Sequence, residues 1–470
     1  MPRNFIGVTV MPEWIQFEGI ERVLDGLAAA GATAVATAPY VMEPADEKTG
    51  SREPPIDAGA GSVRLLDREL WGKRELWVRT APSFEPNPRL YSGLRYQPPT
   101  PSEMTRRNGP ILKAFLRAAK ARRLKVYFQV QAAIPPGYRV QFGGPQPDDR
   151  PLLPDGRAPS QRLANNGSLA SPHILAYHNA LLEDLVQQYP DLDGIRVDWP
   201  EYPPYFLDDV FLDFCPHAEQ AAARLGFDID AMRRAAVDLY RKLQGGLTDQ
   251  DLFPWPEADG GRYRLLHWLK ESPALLDWLR FKARLVEELV SGFRRRMNEA
   301  GGRKMELIPN AFPPPWSLWS GMDFARVARH ASAIGVKLYT MHWPVMLRFY
   351  GDVLVRANPN VNERLIARAL VRWLDIADDQ GLPSLRDYTY PEPDQPHPVG
   401  LRAQARKIIE AQIAAGSTPV YSLAHAYGPV ADFRNRLEVA WRASQHGVWI
   451  NRYGYLSDAK LRVAGEVCRA

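Results

Sequence analysis

The chain has 470 residues, 45% hydrophobic and 24% charged, which excludes a sequence too polar to bury a core. With 59 Lys and Arg against 54 Asp and Glu, the net charge of +5 is too dilute to make nucleic acid the expected partner. The 42 prolines imply ordered loops, and the 13 tryptophans imply flat apolar surfaces of the kind that amphipathic ligands such as sugar rings use.

Met1-Pro2-Arg3-Asn4 runs directly into a strand pattern, without the basic segment and apolar stretch of a leader. No window approaches about eighteen apolar residues, so the expectation is a cytoplasmic protein with no membrane partner. Strand patterns follow at 5–10, 33–39, 124–131, 193–198, 305–309, 335–341, 384–388 and 418–423. Helical periods lie between them at 19–30, 105–122, 172–188, 275–300, 322–332, 361–379 and 399–415, with a last one near 429–445. That order predicts an α/β fold, a (β/α)8 TIM barrel, formed by 1–470 as one decorated unit. A doubly wound sheet is the alternative, but Val10-Met11-Pro12-Glu13-Trp14 stands where a Gly-rich dinucleotide loop would follow the first strand. The surplus length falls at 41–104, 132–170 and 203–274, each after a strand C-terminus, where barrel enzymes keep their sites.

The most informative stretch is Asp193-Gly194-Ile195-Arg196-Val197-Asp198-Trp199-Pro200-Glu201-Tyr202-Pro203-Pro204-Tyr205. Period 2 puts Arg196 and Asp198 on the same side, facing the lumen, where an Arg beneath an Asp holds the carboxylate charged and oriented. Pro200 is expected to keep Trp199 extended, so that Glu201 emerges on the rim. Two carboxylates beside Trp199, Tyr202 and Tyr205 form the pattern that acid/base cleavage of a glycosidic bond requires. A structural Arg–Asp pair with a solvated Glu201 fits the same residues.

Residues 193–198 resemble the strand-four segment of the alpha-amylase-like barrel glycoside hydrolases, in which an Arg two residues before an Asp marks the nucleophile. The longer 193–203 segment is similar to uncharacterised glycosyl-hydrolase-like barrels, with Leu169-Ala170-Ser171-Pro172, Tyr177-His178, Gly447-Val448-Trp449-Ile450 and Tyr453-Gly454-Tyr455-Leu456 in support. The resemblance implies a barrel glycosidase with Asp198 as nucleophile or charge stabiliser. An amylase-like enzyme carries its general acid at the end of strand five. Here Asn310 stands at that end and Glu306 at the start, so the acid must come from elsewhere.

Glu201 is the first candidate for the acid. Asp387 and Glu392 follow as reserves, because Arg386-Asp387-Tyr388-Thr389-Tyr390-Pro391-Glu392 reads as the mouth of strand seven. The candidate substrate ligands are Glu13 after strand one, Gln129 and Gln131 on strand three, Asn310, His342 at the end of strand six, Tyr388 and His425. Arg196, Trp199, Tyr202, Trp316 and Trp343 complete the set, the tryptophans as stacking platforms. Glu13 is otherwise an exposed loop acid, Gln129 and Gln131 can equally bond to each other or to water, and His342 and Trp316 fit packing roles equally well.

The histidines contain no HxH or HExxH, no GxSxG occurs, and Cys215 and Cys468 lie in no ligand-spaced motif. No metal and no cofactor are therefore expected, and the predicted partner is a carbohydrate substrate, with a homo-oligomer compatible with the sequence. Two other readings stay open: a metal-dependent barrel lyase or isomerase, and a non-catalytic carbohydrate-binding barrel.

Overall fold

The computed structural model of the protein describes residues 5–55, 64–256 and 260–469; the N-terminal Met1-Pro2-Arg3-Asn4 read above lies outside them. In chain order the strands are β1 (Phe5–Thr9), β2 (Ala34–Thr37), β3 (Tyr40–Ala45), β4 (Ser51–Glu53), β5 (Leu76–Pro82), β6 (Lys125–Gln131), β7 (Gly194–Asp198), β8 (Glu306–Ala311), β9 (Ile334–Leu338), β10 (Val420–His425) and β11 (Gly447–Asn451). Strands β3, β5 and β4 form a small antiparallel sheet, and the other eight close a parallel barrel in sequence order. The helices between them make the fold a (β/α)8 TIM barrel.

Alternation along the strands divides the interior in two. Val8, Val35, Val126, Val197, Val336 and Ile450 point outward into the large core shared with the helices. Ala34, Ala36, Tyr127, Ile308, Leu423 and Trp449 belong to a separate apolar cluster that fills the lumen. Gly7 lies opposite Trp449 in the β1–β11 register. A Cβ on Gly7 would stand 2.2 Å from the indole, so only glycine lets Trp449 cross the barrel there.

Seven of the eight expected strands coincide with barrel strands, and one does not. Residues 384–388 form no strand; Leu385–Asp387 is a single 3-10 turn, in which Asp387 Oδ2 accepts from Ser384 N at 3.2 Å. The eighth strand is β11, wholly buried between β10 and β1, and the run at 418–423 is barrel strand seven rather than eight. The physical reason is burial: Val448-Trp449-Ile450 offers apolar side chains to both layers, whereas Arg386 and Asp387 are exposed.

Long connections follow β2, β6 and β7, as the surplus length suggested. The first carries the β3-β5-β4 sheet, the second 3-10 turns at Val140–Phe142 and Pro147–Asp149. The third carries helices Pro216–Leu225, Ile229–Leu243 and Gly260–Glu271 before the long helix Pro273–Glu299. A fourth, between β9 and β10, holds helices His342–Ala357 and Glu363–Leu374 and the 3-10 turn. Among the described residues no helix is long and apolar enough to cross a membrane.

Candidate active site

Pairing fixes the level of each inward side chain at the C-terminal mouth. Gln131 stands opposite Asp198, Asp198 opposite Asn310, and His425 opposite Asn451. Gln129 lies one inward step deeper, opposite Arg196. Asp198 is 7% exposed.

The closest charge to Asp198 comes from a residue that the sequence reading passed over. Lys337, on β9, places Nζ 2.6 Å from Asp198 Oδ1, and its side chain is 1% exposed. The ammonium also lies 5.0 Å from the Trp199 ring centre. Burial pulls Lys337 below the usual lysine range, and the charges of Asp198 and Glu201 oppose that pull. Its signal was present in the sequence: Lys337 is the one charged residue in an apolar run, and it shares lumen parity with Gly335 and Tyr339.

Arg196 does not perform the task expected of it. Its Nη1 donates to Thr9 Oγ1 at 2.9 Å, its Nη2 to Asn310 Oδ1 at 3.4 Å, and its guanidinium lies 3.9 Å from the Trp449 ring centre. Burial brings it down to about 10, with the Asp198 charge acting in the opposite direction. Arg196 therefore stiffens the lumen beneath the site, and the ion pair with Asp198 belongs to Lys337. Asn310, 1% exposed, is occupied as the acceptor of this arginine.

Glu201 is fully buried rather than on the rim. Trp199 is not extended as expected before a proline but takes φ +54°, and the chain turns inward. Glu201 Oε1 accepts from Phe312 N and Oε2 from Ser320 Oγ, both at 2.6 Å, and Asn166 Nδ2 donates to its carbonyl oxygen at 2.9 Å. Burial raises the carboxyl to about 7, although Lys337, Ser320 and Phe312 all act to lower it. Ser320 Oγ also lies 3.3 Å from Ser317 O, so its hydroxyl can donate there and accept a hydrogen bond from the protonated Glu201 carboxyl.

The reserve acids stand apart from this arrangement: Asp387 caps its exposed turn, and Glu392 is exposed in the β9-to-β10 connection. Glu13 is buried in the helix after β1, where it accepts from Tyr40 OH at 2.9 Å and pairs with Arg139 at 2.9 Å. Arg139 also holds Glu53 at 2.7 Å, and Arg452 holds Glu53 at 2.8 Å. Two acids and two guanidinium groups thus tie the first two insertions to the end of β11, and both oxygens of Glu13 are engaged. Burial still holds Glu13 above the usual carboxylate range, against the pull of Arg139.

Several aromatic candidates turn out to be structural. Trp316 and Trp343 pack 5.5 Å apart, buried beneath the Lys407 ammonium, so they form no platform at the mouth. Tyr202 OH donates to Asp213 at 3.0 Å and accepts from Leu169 N, and Tyr388 OH accepts from Leu382 N at 2.6 Å. His342 begins a helix instead of ending a strand, and its Nδ1 lies 3.3 Å from Tyr205 OH. His425 ends β10, packs against Tyr339 and Tyr455, and accepts from Tyr427 N through Nδ1 at 3.1 Å.

The mouth also carries buried polar atoms with no hydrogen-bond partner among the described residues: Gln131 Oε1, Trp199 Nε1 and Asn451 Oδ1. Asn451 Nδ2 donates to Tyr339 OH at 2.8 Å, which aims its free oxygen elsewhere. Acceptors and a donor left open around a carboxylate and an ammonium suit a ligand that offers several hydroxyls. Among the described residues Asp149, His173 and His217 form a separate cluster capable of holding a metal, and no spacing in the sequence announces it.

No family model matches the chain, and no curated protein matches it in sequence. Among solved structures it is similar to a β-galactosidase from the psychrophilic Marinomonas ef1, with TM-score 0.51 and 12% identity over 99% of this chain and 59% of that one. It is also similar to the catalytic domain of a β-amylase from Paenibacillus polymyxa (TM-score 0.48, 10% identity, 99% and 98% covered). A Group IV chitinase from Ostrinia furnacalis has TM-score 0.44 and 9% identity over 99% of this chain and 100% of that one. This chain spans 59% of the length of the β-galactosidase. The likeness to that enzyme is one of fold.

Proposed function

We propose that the barrel mouth hydrolyses a glycosidic bond of an oligosaccharide or glycoconjugate, with Asp198 as nucleophile or charge stabiliser. The observation that carries this reading is the Asp198–Lys337 pair at the C-terminal end of the lumen, with open polar atoms of Gln131, Trp199 and Asn451 at the same end of the barrel. A carboxylate set there meets an electron-poor anomeric carbon, and the open polar atoms meet ring hydroxyls. Lys337 takes the place beside Asp198 that a cation would occupy, so the chemistry proposed at this centre calls for no metal. Glu201 is the acid of first choice, because a carboxyl raised to about 7 holds a proton near neutral pH.

One observation favours a second reading, a carbohydrate-binding barrel without turnover. Glu201 is fully buried, with both oxygens accepting hydrogen bonds, and Glu13 is locked into its own ion-pair cluster. Depletion assays on a glycan panel, with wild type and Asp198→Asn, distinguish the two. Wild-type turnover abolished by the substitution with binding intact supports the hydrolase. Binding without turnover by either protein supports the second reading.

A further inference from the structure

Three segments distant in sequence meet at one corner of the catalytic face. Asp149 ends the 3-10 turn Pro147–Asp149, His173 sits in the first turn of helix Pro172–Gln188, and His217 in the first turn of helix Pro216–Leu225. Their ligand atoms all lie within 4.8 Å of one another, and His217 Nε2 is 3.1 Å from Asp149 Oδ1. The two imidazoles stand edge to face with centres 5.8 Å apart.

The carboxylate is oriented in advance. Asp149 is fully buried, with Ser171 Oγ donating at 2.5 Å to one oxygen and Tyr96 OH at 2.7 Å to the other. Partners of this kind fix the direction of a metal-binding carboxylate. Arg95 approaches Asp149 at 3.5 Å and pairs more closely with Asp148 at 2.6 Å. Asp148 itself lies within electrostatic reach of His173. Two carboxylates against one guanidinium leave a negative excess at this corner, which offsets the opposing dipoles of the two helix N-termini.

We propose that Asp149, His173 and His217 bind a zinc-class divalent ion, with water completing the coordination. Zinc bonds of about 2.0–2.2 Å place neighbouring ligand atoms roughly 3.3 Å apart. The Asp149–His217 edge already has that length, and half-buried His173 closes the rest by side-chain rotation. The ion staples the 132–170 connection to the 203–274 connection. From there a bonded path reaches the β7 loop: Ser168 N donates to Asp149 O at 2.7 Å, and Ser168 Oγ to Asp213 at 2.6 Å. Asp213 also accepts from Tyr202 OH.

This site is independent of the glycosidase reading, and its test needs no turnover. The full-length protein, stripped with chelator, is titrated with Zn2+ by calorimetry and melted with and without it. Wild type is expected to take up one equivalent and to melt at a higher temperature when loaded. H173A and H217A are each expected to weaken Zn2+ binding by more than about 100-fold, and to lose the rise in melting temperature that Zn2+ gives wild type. Absence of zinc uptake by wild type overturns the proposal. So does unchanged affinity and stoichiometry in the H173A/H217A double variant.

Discussion

Lys337 and Asp198 face each other across the lumen at 2.6 Å, from barrel strands six and four, with both side chains withdrawn from solvent. An ammonium and a carboxylate so placed depend on each other, because each would be costly to bury alone. Lys337→Met should therefore cost about 3–5 kcal/mol of stability. In urea unfolding, Lys337→Met combined with Asp198→Asn should cost less than the sum of the single changes by about 1–3 kcal/mol. Additive effects would mean that the two residues are not coupled.

The Glu201 carboxyl gives a pH signature. Its folded pKa, raised to about 7, lies above its usual value, so the folded state holds a proton there that the unfolded state releases earlier. The stabilising effect of that proton is complete below about pH 4.5 and is lost as pH rises through about 7. His178, which burial pulls down to about 3, acts in the opposite direction below its usual value, so the observable is a difference between variants. Between pH 4.5 and 7.5, Glu201→Gln should gain up to about 3 kcal/mol relative to wild type. Parallel stability curves for the two proteins would remove Glu201 as the titrating group.

Gly7 and Trp449 supply a packing test. A methyl group on Gly7 meets the indole at 2.2 Å, and the indole carries Arg196 on its face. Gly7→Ala should cost about 3 kcal/mol, and Trp449→Leu in the same chain should return part of the loss. A Gly7→Ala protein as stable as wild type would show that the lumen tolerates a shifted Trp449.

Arg139 holds two buried acids at once, Glu13 at 2.9 Å and Glu53 at 2.7 Å. Arg139→Met leaves Arg452 alone to balance both, and should lower stability by about 3–5 kcal/mol in denaturant unfolding. A change below about 1 kcal/mol would mean that water or another base reaches the cluster.

The barrel was legible because buried parallel strands are short apolar runs and the connecting helices keep their period. β11 was missed even though Gly447-Val448-Trp449-Ile450 was noticed, since five residues near the end of a chain do not reveal that they close a ring. Arg386–Tyr388 imitated a strand end because its polar and aromatic residues match those of a barrel mouth. Asp198 was legible from its strand and parity. Glu201 was not, because the positive φ of Trp199 and the donors on Phe312 and Ser320 that draw it inward are tertiary facts. The Asp149–His173–His217 cluster was invisible for the same reason: its members come from three elements and share no spacing.

In the proposed hydrolysis, Asp198 carries the chemistry. The most direct measurement is the single-turnover rate of Asp198→Asn on a glycan that wild type depletes, with binding followed separately. The rate should fall at least about 100-fold with affinity retained. Hydrolysis at the wild-type rate would contradict that role of Asp198.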